Sequence, residues 1–275
     1  MMINKTGRPG FGKTALITGA STGIGYELAH CFAREGYNLI LVARNEVKLA
    51  ELAQKLEKEF EISAKTLAKN LTDPLAPAEI FIELQRNSIF VDILVNNAGV
   101  GVHGFFSETE LSTELQMMQL NMQALTHLTK LFVREMLKHS RGKILNVAST
   151  AAFQPGPLMA VYYATKAYVL SFSQALAEEL SGTGISVTCL CPGPTYSEFQ
   201  KNANIGNIML LKGRMMTSKA VAEMSYWGLR KNKRVVIAGG LNRVFAWLAR
   251  TLPTSLVTRV IKILQLDRKK KSEMD

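Results

Sequence analysis

Short uninterrupted apolar runs alternate along this chain with longer stretches in which apolar residues recur every three or four positions. Residues 13–18 (KTALIT), 38–43 (NLILVA), 64–71, 92–96 (DILVN), 143–148 (KILNVA), 186–191 (SVTCLC) and 234–238 (RVVIA) are of the first kind. Continuous rather than alternating hydrophobicity predicts strands covered on both faces, as in a parallel sheet. Between them, residues 26–35, 46–60, 76–85, 112–138, 162–180 and 218–230 carry the helical period, with Ser218 as the expected N-cap of the last. Strands and helices alternate without an internal repeat or a low-complexity linker. The pattern therefore predicts the α/β class: a doubly wound parallel sheet of about seven strands in a three-layer α/β/α sandwich. Residues 1–240 are expected to form this one domain and residues 241–275 a C-terminal helical extension.

Composition narrows the picture in three ways. With 275 residues, 47% hydrophobic and 20% charged, the chain has the makeup of a folded globular protein. The formal charge of +11 is uneven: residues 1–200 hold 17 Lys/Arg against 18 Asp/Glu, and residues 201–275 hold 16 against 4. The excess thus sits at the C-terminal end, where residues 255–266 read as an amphipathic helix followed by Arg268-Lys269-Lys270-Lys271. Such a segment suits peripheral contact with a membrane or, alternatively, a helix of a dimer interface or of the substrate pocket, and the absence of a recognisable motif argues against nucleic acid. Residues 144–165 are uncharged but contain Asn146, Gln154, Pro155 and Pro157, which argues against a membrane span. The N-terminal residues lack the pattern of a signal peptide, and the three cysteines, Cys31, Cys189 and Cys191, are too few for a disulfide framework. A cytoplasmic protein, in contact with the membrane face at most, is expected. The four histidines have no partners at ligand spacing, so no metal site is expected.

The candidate chemistry begins where the first strand meets the first helix. Gly19, Ser21, Thr22, Gly23, Ile24 and Gly25 form a glycine-rich turn of the kind that lets a pyrophosphate approach the amides at a helix N-terminus. Tyr162 and Lys166, four residues apart, share one helix face. A cation ~4 Å from the phenol at an effective dielectric of ~20 contributes up to ~4 kcal/mol, so Lys166 is expected to draw the Tyr162 pKa down toward the working range of a proton donor. Residue chemistry alone leaves Tyr163 as a rival.

The TGxxxGxG spacing of this turn resembles the classical short-chain dehydrogenase/reductase family. Further matches follow in order: Asn96-Asn97-Ala98-Gly99 after the fourth strand, Asn121, Ser149, the Tyr162/Lys166 pair, and Pro192-Gly193 with Thr195. The resemblance spans roughly residues 10–240. It lies toward the branch holding DltE-like bacterial proteins and the ketoacyl and hydroxysteroid reductases.

The resemblance implies a Rossmann fold and an NADP(H)-dependent enzyme acting on a carbonyl or alcohol, with Asn121, Ser149, Tyr162 and Lys166 as catalytic residues. The family spacing selects Tyr162 over Tyr163 and Ser149 over Thr150. Ser149 would bind the substrate oxygen, Lys166 the nicotinamide ribose, and Asn121 a proton-relay water. Cofactor contacts would come from the glycine turn, Arg44, Asn70, Leu71, Asn97, Ala98, Gly99, Pro192, Gly193 and Thr195, besides Tyr162 and Lys166. Arg44 occupies the position where a carboxylate would mark NAD, so NADP is favoured over NAD. Asn70 departs from the family's usual Asp. Residues 196–217, rich in Met, Ile and Leu, fall where the family places a substrate lid and suit an apolar substrate. A homodimer or homotetramer is expected. The competing reading is a nucleotide-binding regulatory protein, or a membrane-associated one, of the same fold without turnover.

Overall fold

The computed structural model describes residues 7–199, 203 and 215–266. Its central sheet contains seven strands: β1 (Thr14–Thr18), β2 (Asn38–Ala43), β3 (Ala64–Ala68), β4 (Ile93–Asn96), β5 (Gly142–Val147), β6 (Ile185–Cys191) and β9 (Val235–Ile237). They run in parallel in the order β3-β2-β1-β4-β5-β6-β9. Side chains leave each strand on alternating faces and both faces are buried, which explains the unbroken apolar runs. Ala15, Ile17, Leu39, Leu41 and Val95 point to one layer, and Leu16, Ile40, Val42, Leu94 and Ile144 to the other.

The first layer is covered by α1 (Gly23–Arg34), α2 (Glu46–Phe60) and α7 (Ser218–Arg230), where the Phe32 and Tyr226 rings meet edge to face with centroids 5.2 Å apart. The second is covered by α3 (Ala76–Arg86), α5 (Leu125–Lys138) and α6 (Ala160–Glu179), with Phe81 and Phe132 in a similar contact. α4 (Leu111–Met118) leads into α5 through a π-helical stretch, Gln119–Ala124. β7 (Thr195–Tyr196) and β8 (Met216–Thr217) pair separately and bracket the expected lid. Residues 200–202 and 204–214 of that segment lie outside the described residues, as does the basic run 268–271. Two amphipathic helices follow, α8 (Gly240–Thr251) and α9 (Thr254–Gln265).

Three expectations need correction. The helix expected over 112–138 is broken by the π-helical turns, and the third strand stops at Ala68 because the chain turns at Asn70, whose Oδ1 accepts from the Thr72 amide at 3.2 Å. The N-cap of α7 is Thr217, whose hydroxyl accepts from the Ala220 amide at 3.2 Å, while Ser218 donates to the Tyr196 carbonyl. No helix among the described residues is long and apolar enough to cross a membrane.

The strand order reverses direction between β1 and β4, and a doubly wound sheet opens its crevice at the carboxyl ends of the strands on either side of such a switch. β1 ends at Thr18 and β4 at Asn96, so the fold itself delivers the glycine turn and the Asn97-Ala98-Gly99 segment to one place.

Candidate active site

The turn after β1 depends on glycine at two positions. Gly19 has φ +66°, in the left-handed region. At Gly25 a Cβ would stand 2.2 Å from the Gly19 carbonyl oxygen and 2.5 Å from Asn97 Nδ2, so the helix can start this close to the turn only without a side chain. Asn97 donates from Nδ2 to the carbonyls of Thr18 (2.9 Å) and Gly19 (3.2 Å), and Thr18 Oγ1 accepts from the Asn97 and Ala98 amides at 3.0 Å each. The end of β4 thereby fixes the turn after β1. Thr22, the residue before α1, makes no side-chain cap, which leaves the first amides of the helix to an anion.

A cleft of about 790 Å³ runs from this turn across the sheet ends. Ser21, Thr22, Gly23 and Ile24 line it beside Gly19, Arg44, Asn70 and Leu71 line one end, and Asn97, Ala98 and Gly99 form its floor. Ser149, Tyr162, Lys166, Pro192, Gly193 and Thr195 line the rest. Two of the expected residues stand behind the wall: Gly25, beneath the turn, and Asn121, in the π-helical stretch. The size of the cleft, the open helix N-terminus and the glycine cradle fit a dinucleotide.

At the Arg44 end three cations converge. Lys48 pairs with Glu198 at 3.1 Å and Lys69 with Glu79 at 2.7 Å, while no carboxylate among the described residues pairs with Arg44. Arg44 is exposed. The Asn70 amide oxygen is engaged in its own turn, which leaves its N–H groups for a ligand.

At the other end α6 presents Tyr162 and Lys166, both buried. Lys166 Nζ donates to the Val147 carbonyl at 3.0 Å and lies 5.8 Å from the centre of the Tyr162 ring. Burial, only partly opposed by Cys189 and Cys191, pushes the Lys166 pKa down to about 8. The Tyr162 phenol is raised above its ordinary value by burial, opposed by its hydrogen bond with Ser149. The expectation that Lys166 lowers Tyr162 therefore does not describe this state: desolvation acts on both groups, and the ammonium is drawn to a backbone carbonyl.

The rivals separate by their partners. Ser149 Oγ accepts from the Ala151 amide at 3.1 Å, donates to the Pro192 carbonyl at 3.4 Å and stands beside Tyr162, whereas Tyr163 accepts a hydrogen bond from Gln265 Nε2 at 2.8 Å. Thr150 also lines the cleft, three residues beyond the end of β5. Asn121 is buried, and both N–H bonds of its amide are taken, by the Val100 carbonyl (2.9 Å) and Thr165 Oγ1 (3.1 Å), while Oδ1 accepts from the Val100 amide (3.0 Å). Its side chain fixes the segment after Gly99.

Sequence reasoning missed the wall opposite Tyr162. Met117, Met159, Tyr163 and Phe199 form an apolar cluster there with Ile261 of α9, and Gln265 closes it. Gln265 is 1% exposed, donates to Tyr163 and toward Met159 Sδ (3.6 Å), and its Oε1 has no partner among the described residues. His103 Nε2 donates to the Gln265 carbonyl at 2.9 Å. A lone amide four residues after Ile261, on the inward face of an amphipathic helix, is the signal that could have marked it.

A doubly wound sheet with a glycine cradle at its switch point, beside a half-buried Ser and a buried Tyr and Lys, defines a dinucleotide-binding oxidoreductase. The family model described as short chain dehydrogenase matches residues 13–207, and the chain belongs to that family. It is 31% identical over 210 residues to an uncharacterized oxidoreductase of Staphylococcus epidermidis, a match covering 76% of this chain and 89% of that one. It is also 38% identical over 184 residues to a very-long-chain 3-oxoacyl-CoA reductase of Phaeosphaeria nodorum, covering 65% of this chain but only 54% of that protein. Among solved structures, a short-chain dehydrogenase from Sphingobium yanoikuyae in complex with NADPH superposes with a TM-score of 0.78 at 32% identity, covering 88% of this chain and 97% of that one.

Proposed function

We propose that the protein is an NADP(H)-dependent reductase of an apolar carbonyl compound, with Tyr162 as the proton donor. The observation that carries this reading is the meeting of half-buried Ser149 with the buried Tyr162 and Lys166 in the same cleft as the glycine cradle. When bound there, the dinucleotide supplies a hydride to the carbonyl carbon. Ser149 donates a hydrogen bond to the carbonyl oxygen as negative charge grows on it. Tyr162 passes its proton to that oxygen, and Lys166, as an ammonium, favours the phenolate left behind. Asn121 acts as a positioning residue by holding the backbone of Val100.

Arg44, free of carboxylate partners among the described residues, supports NADP over NAD, since a guanidinium pairs with a 2′-phosphate. The NADPH-bound relative from Sphingobium yanoikuyae agrees with this. The Met, Phe and Ile side chains facing Tyr162 support an apolar substrate, and the oxoacyl-CoA reductase relative points to a long acyl chain. Reduction is the favoured direction with this cofactor. The basic C-terminal extension supports a cytoplasmic protein working at the membrane face, and the family's habit supports a homodimer or homotetramer.

Fluorescence titration with NADPH and NADH, followed by a panel of carbonyl compounds, tests the reading on wild type and Tyr162→Phe. Tight NADPH binding by both proteins, with turnover in the wild type alone, is expected. Failure to bind either dinucleotide would overturn it.

A further inference from the structure

α8 is amphipathic the wrong way round for a helix in water. Its one buried residue is Ala246, and Asn242 lies beside it on the inner side, where its Nδ2 donates to the Ala238 carbonyl. The apolar stripe faces outward: Leu241 is 69% exposed, Phe245 65% and Trp247 63%, with Val244 and Leu252 exposed beside them. α9 continues this surface with Leu256, Val260 and Ile263. Eight large apolar side chains, seven on two successive helices and Leu252 between them, form a patch that a water-facing surface does not carry without a use.

The charge of these helices identifies what covers them. From Leu241 to Leu266 there is no Asp or Glu, while Arg243, Arg250, Arg259 and Lys262 are all exposed, and the sequence continues into Arg268-Lys269-Lys270-Lys271. A second copy of the chain docked about a two-fold axis would set this patch against itself and oppose its cations to one another. An apolar face with basic residues and no acidic ones instead matches the boundary of an anionic bilayer, acyl chains beneath phosphate headgroups.

The inner side of α9 is at the same time a wall of the cleft. Ile261 packs in the cluster that holds Met159, Tyr162 and Phe199, and Gln265 reaches Tyr163. We propose that α8 and α9 dock flat on an anionic phospholipid bilayer and that a membrane-resident carbonyl compound enters the cleft along α9. This rests on the proposed reductase reading for the chemistry, and on the two helices alone for the docking.

The experiment is co-sedimentation of the full chain with phosphatidylcholine vesicles, with and without phosphatidylserine. Wild type is compared with Phe245→Glu/Trp247→Glu and with Arg259→Glu/Lys262→Glu, and light scattering gives each protein's mass in solution. Binding that requires phosphatidylserine and falls by about tenfold or more in both double variants is expected, at unchanged mass and NADPH affinity. Wild type that stays in the supernatant with phosphatidylserine vesicles would overturn the docking. So would vesicle binding that survives the Phe245/Trp247 change while the mass of the particle drops, since the patch then belongs to a second copy. For the entry route, reduction of a long-chain aliphatic ketone held in the vesicles is expected to fall in that variant while a short water-soluble ketone is reduced as before. An equal rate on the embedded ketone would overturn the route. Lack of turnover on both ketones by the wild type would instead defeat the reductase reading, with the docking still decided by sedimentation.

Discussion

Gln265 reaches from α9 to Tyr163, donating from Nε2 to the phenolic oxygen at 2.8 Å across 102 residues of sequence. The bond ties the C-terminal extension to the residue next to Tyr162. Its partner Tyr163 is itself held above its ordinary pKa by burial, so the phenol stays neutral and able to accept.

Because the Gln265 amide is buried and its Oε1 lacks a partner among the described residues, removing the side chain does not cost the full value of a buried hydrogen bond. Gln265→Leu is expected to shift stability by no more than about 1 kcal/mol in urea unfolding. Coupling to Tyr163→Phe in a double-mutant cycle should be about 1 kcal/mol, and the KM for the carbonyl should rise several-fold with the NADPH Kd unchanged. Strict additivity of the two changes would show that the bond carries nothing.

Arg44 is the test of cofactor choice. Arg44→Ala should raise the NADPH Kd by about tenfold, near 1.4 kcal/mol, and leave NADH binding nearly as it was. Because Arg44 is exposed, the difference should shrink as salt is added. Equal losses for the two dinucleotides in a titration would assign Arg44 to general charge rather than to the 2′-phosphate.

Lys166 links activity to stability with a definite sign. Its pKa lies at about 8 in the folded protein against an ordinary 10.5, so below pH 8 folding carries the cost of a buried ammonium. Between about pH 8 and 10.5 the folded state gives up the proton before the unfolded chain does, and stability therefore rises with pH through that window. Lys166→Met is expected to abolish turnover and to be more stable than wild type at pH 7 by up to about 3 kcal/mol. The advantage should fade across the same window in thermal melts of the protein free of dinucleotide. A gap independent of pH would refute the assignment.

Lys48 and Glu198 form an ion pair from the first turn of α2 to the segment after β7, over the cleft. Both side chains are exposed by about half, so the pair adds little stability. Glu198→Gln should change the unfolding free energy by less than about 0.5 kcal/mol yet speed NADPH release a few-fold in stopped-flow fluorescence. An unchanged release rate would show that the pair closes nothing.

The sheet was legible in the sequence because burial on both faces removes the polar alternation that makes strands ambiguous. The glycine turn and the Tyr162/Lys166 spacing were legible because both are local. What escaped was what depends on distant partners. The spacing of Tyr162 and Lys166 puts the ammonium near the phenol, but only the fold reveals the Val147 carbonyl that draws it away. Thr217 and Ser218 are adjacent hydroxyls, and the choice of cap turns on where the chain leaves β8. Asn97 matches the family motif as a ligand contact, yet its side chain serves the turn. Gln265 becomes a cleft residue only because α9 folds back over α6.

The π-helical stretch Gln119–Ala124 bears on how this chain can change over time. A turn with one residue more than an α-helix absorbs its extra residue locally, so the residues on either side keep the faces of an unbroken helix, and a single deletion inside it would return the turn to α-helical winding. Leu128, Phe132 and Met136 would keep their places against the sheet, and the change would fall on Asn121 and its hold on Val100. The extra residue therefore serves the cleft rather than the core: a chain shortened there by one residue would keep its packing and lose the placement of Asn121 beneath the segment after Gly99.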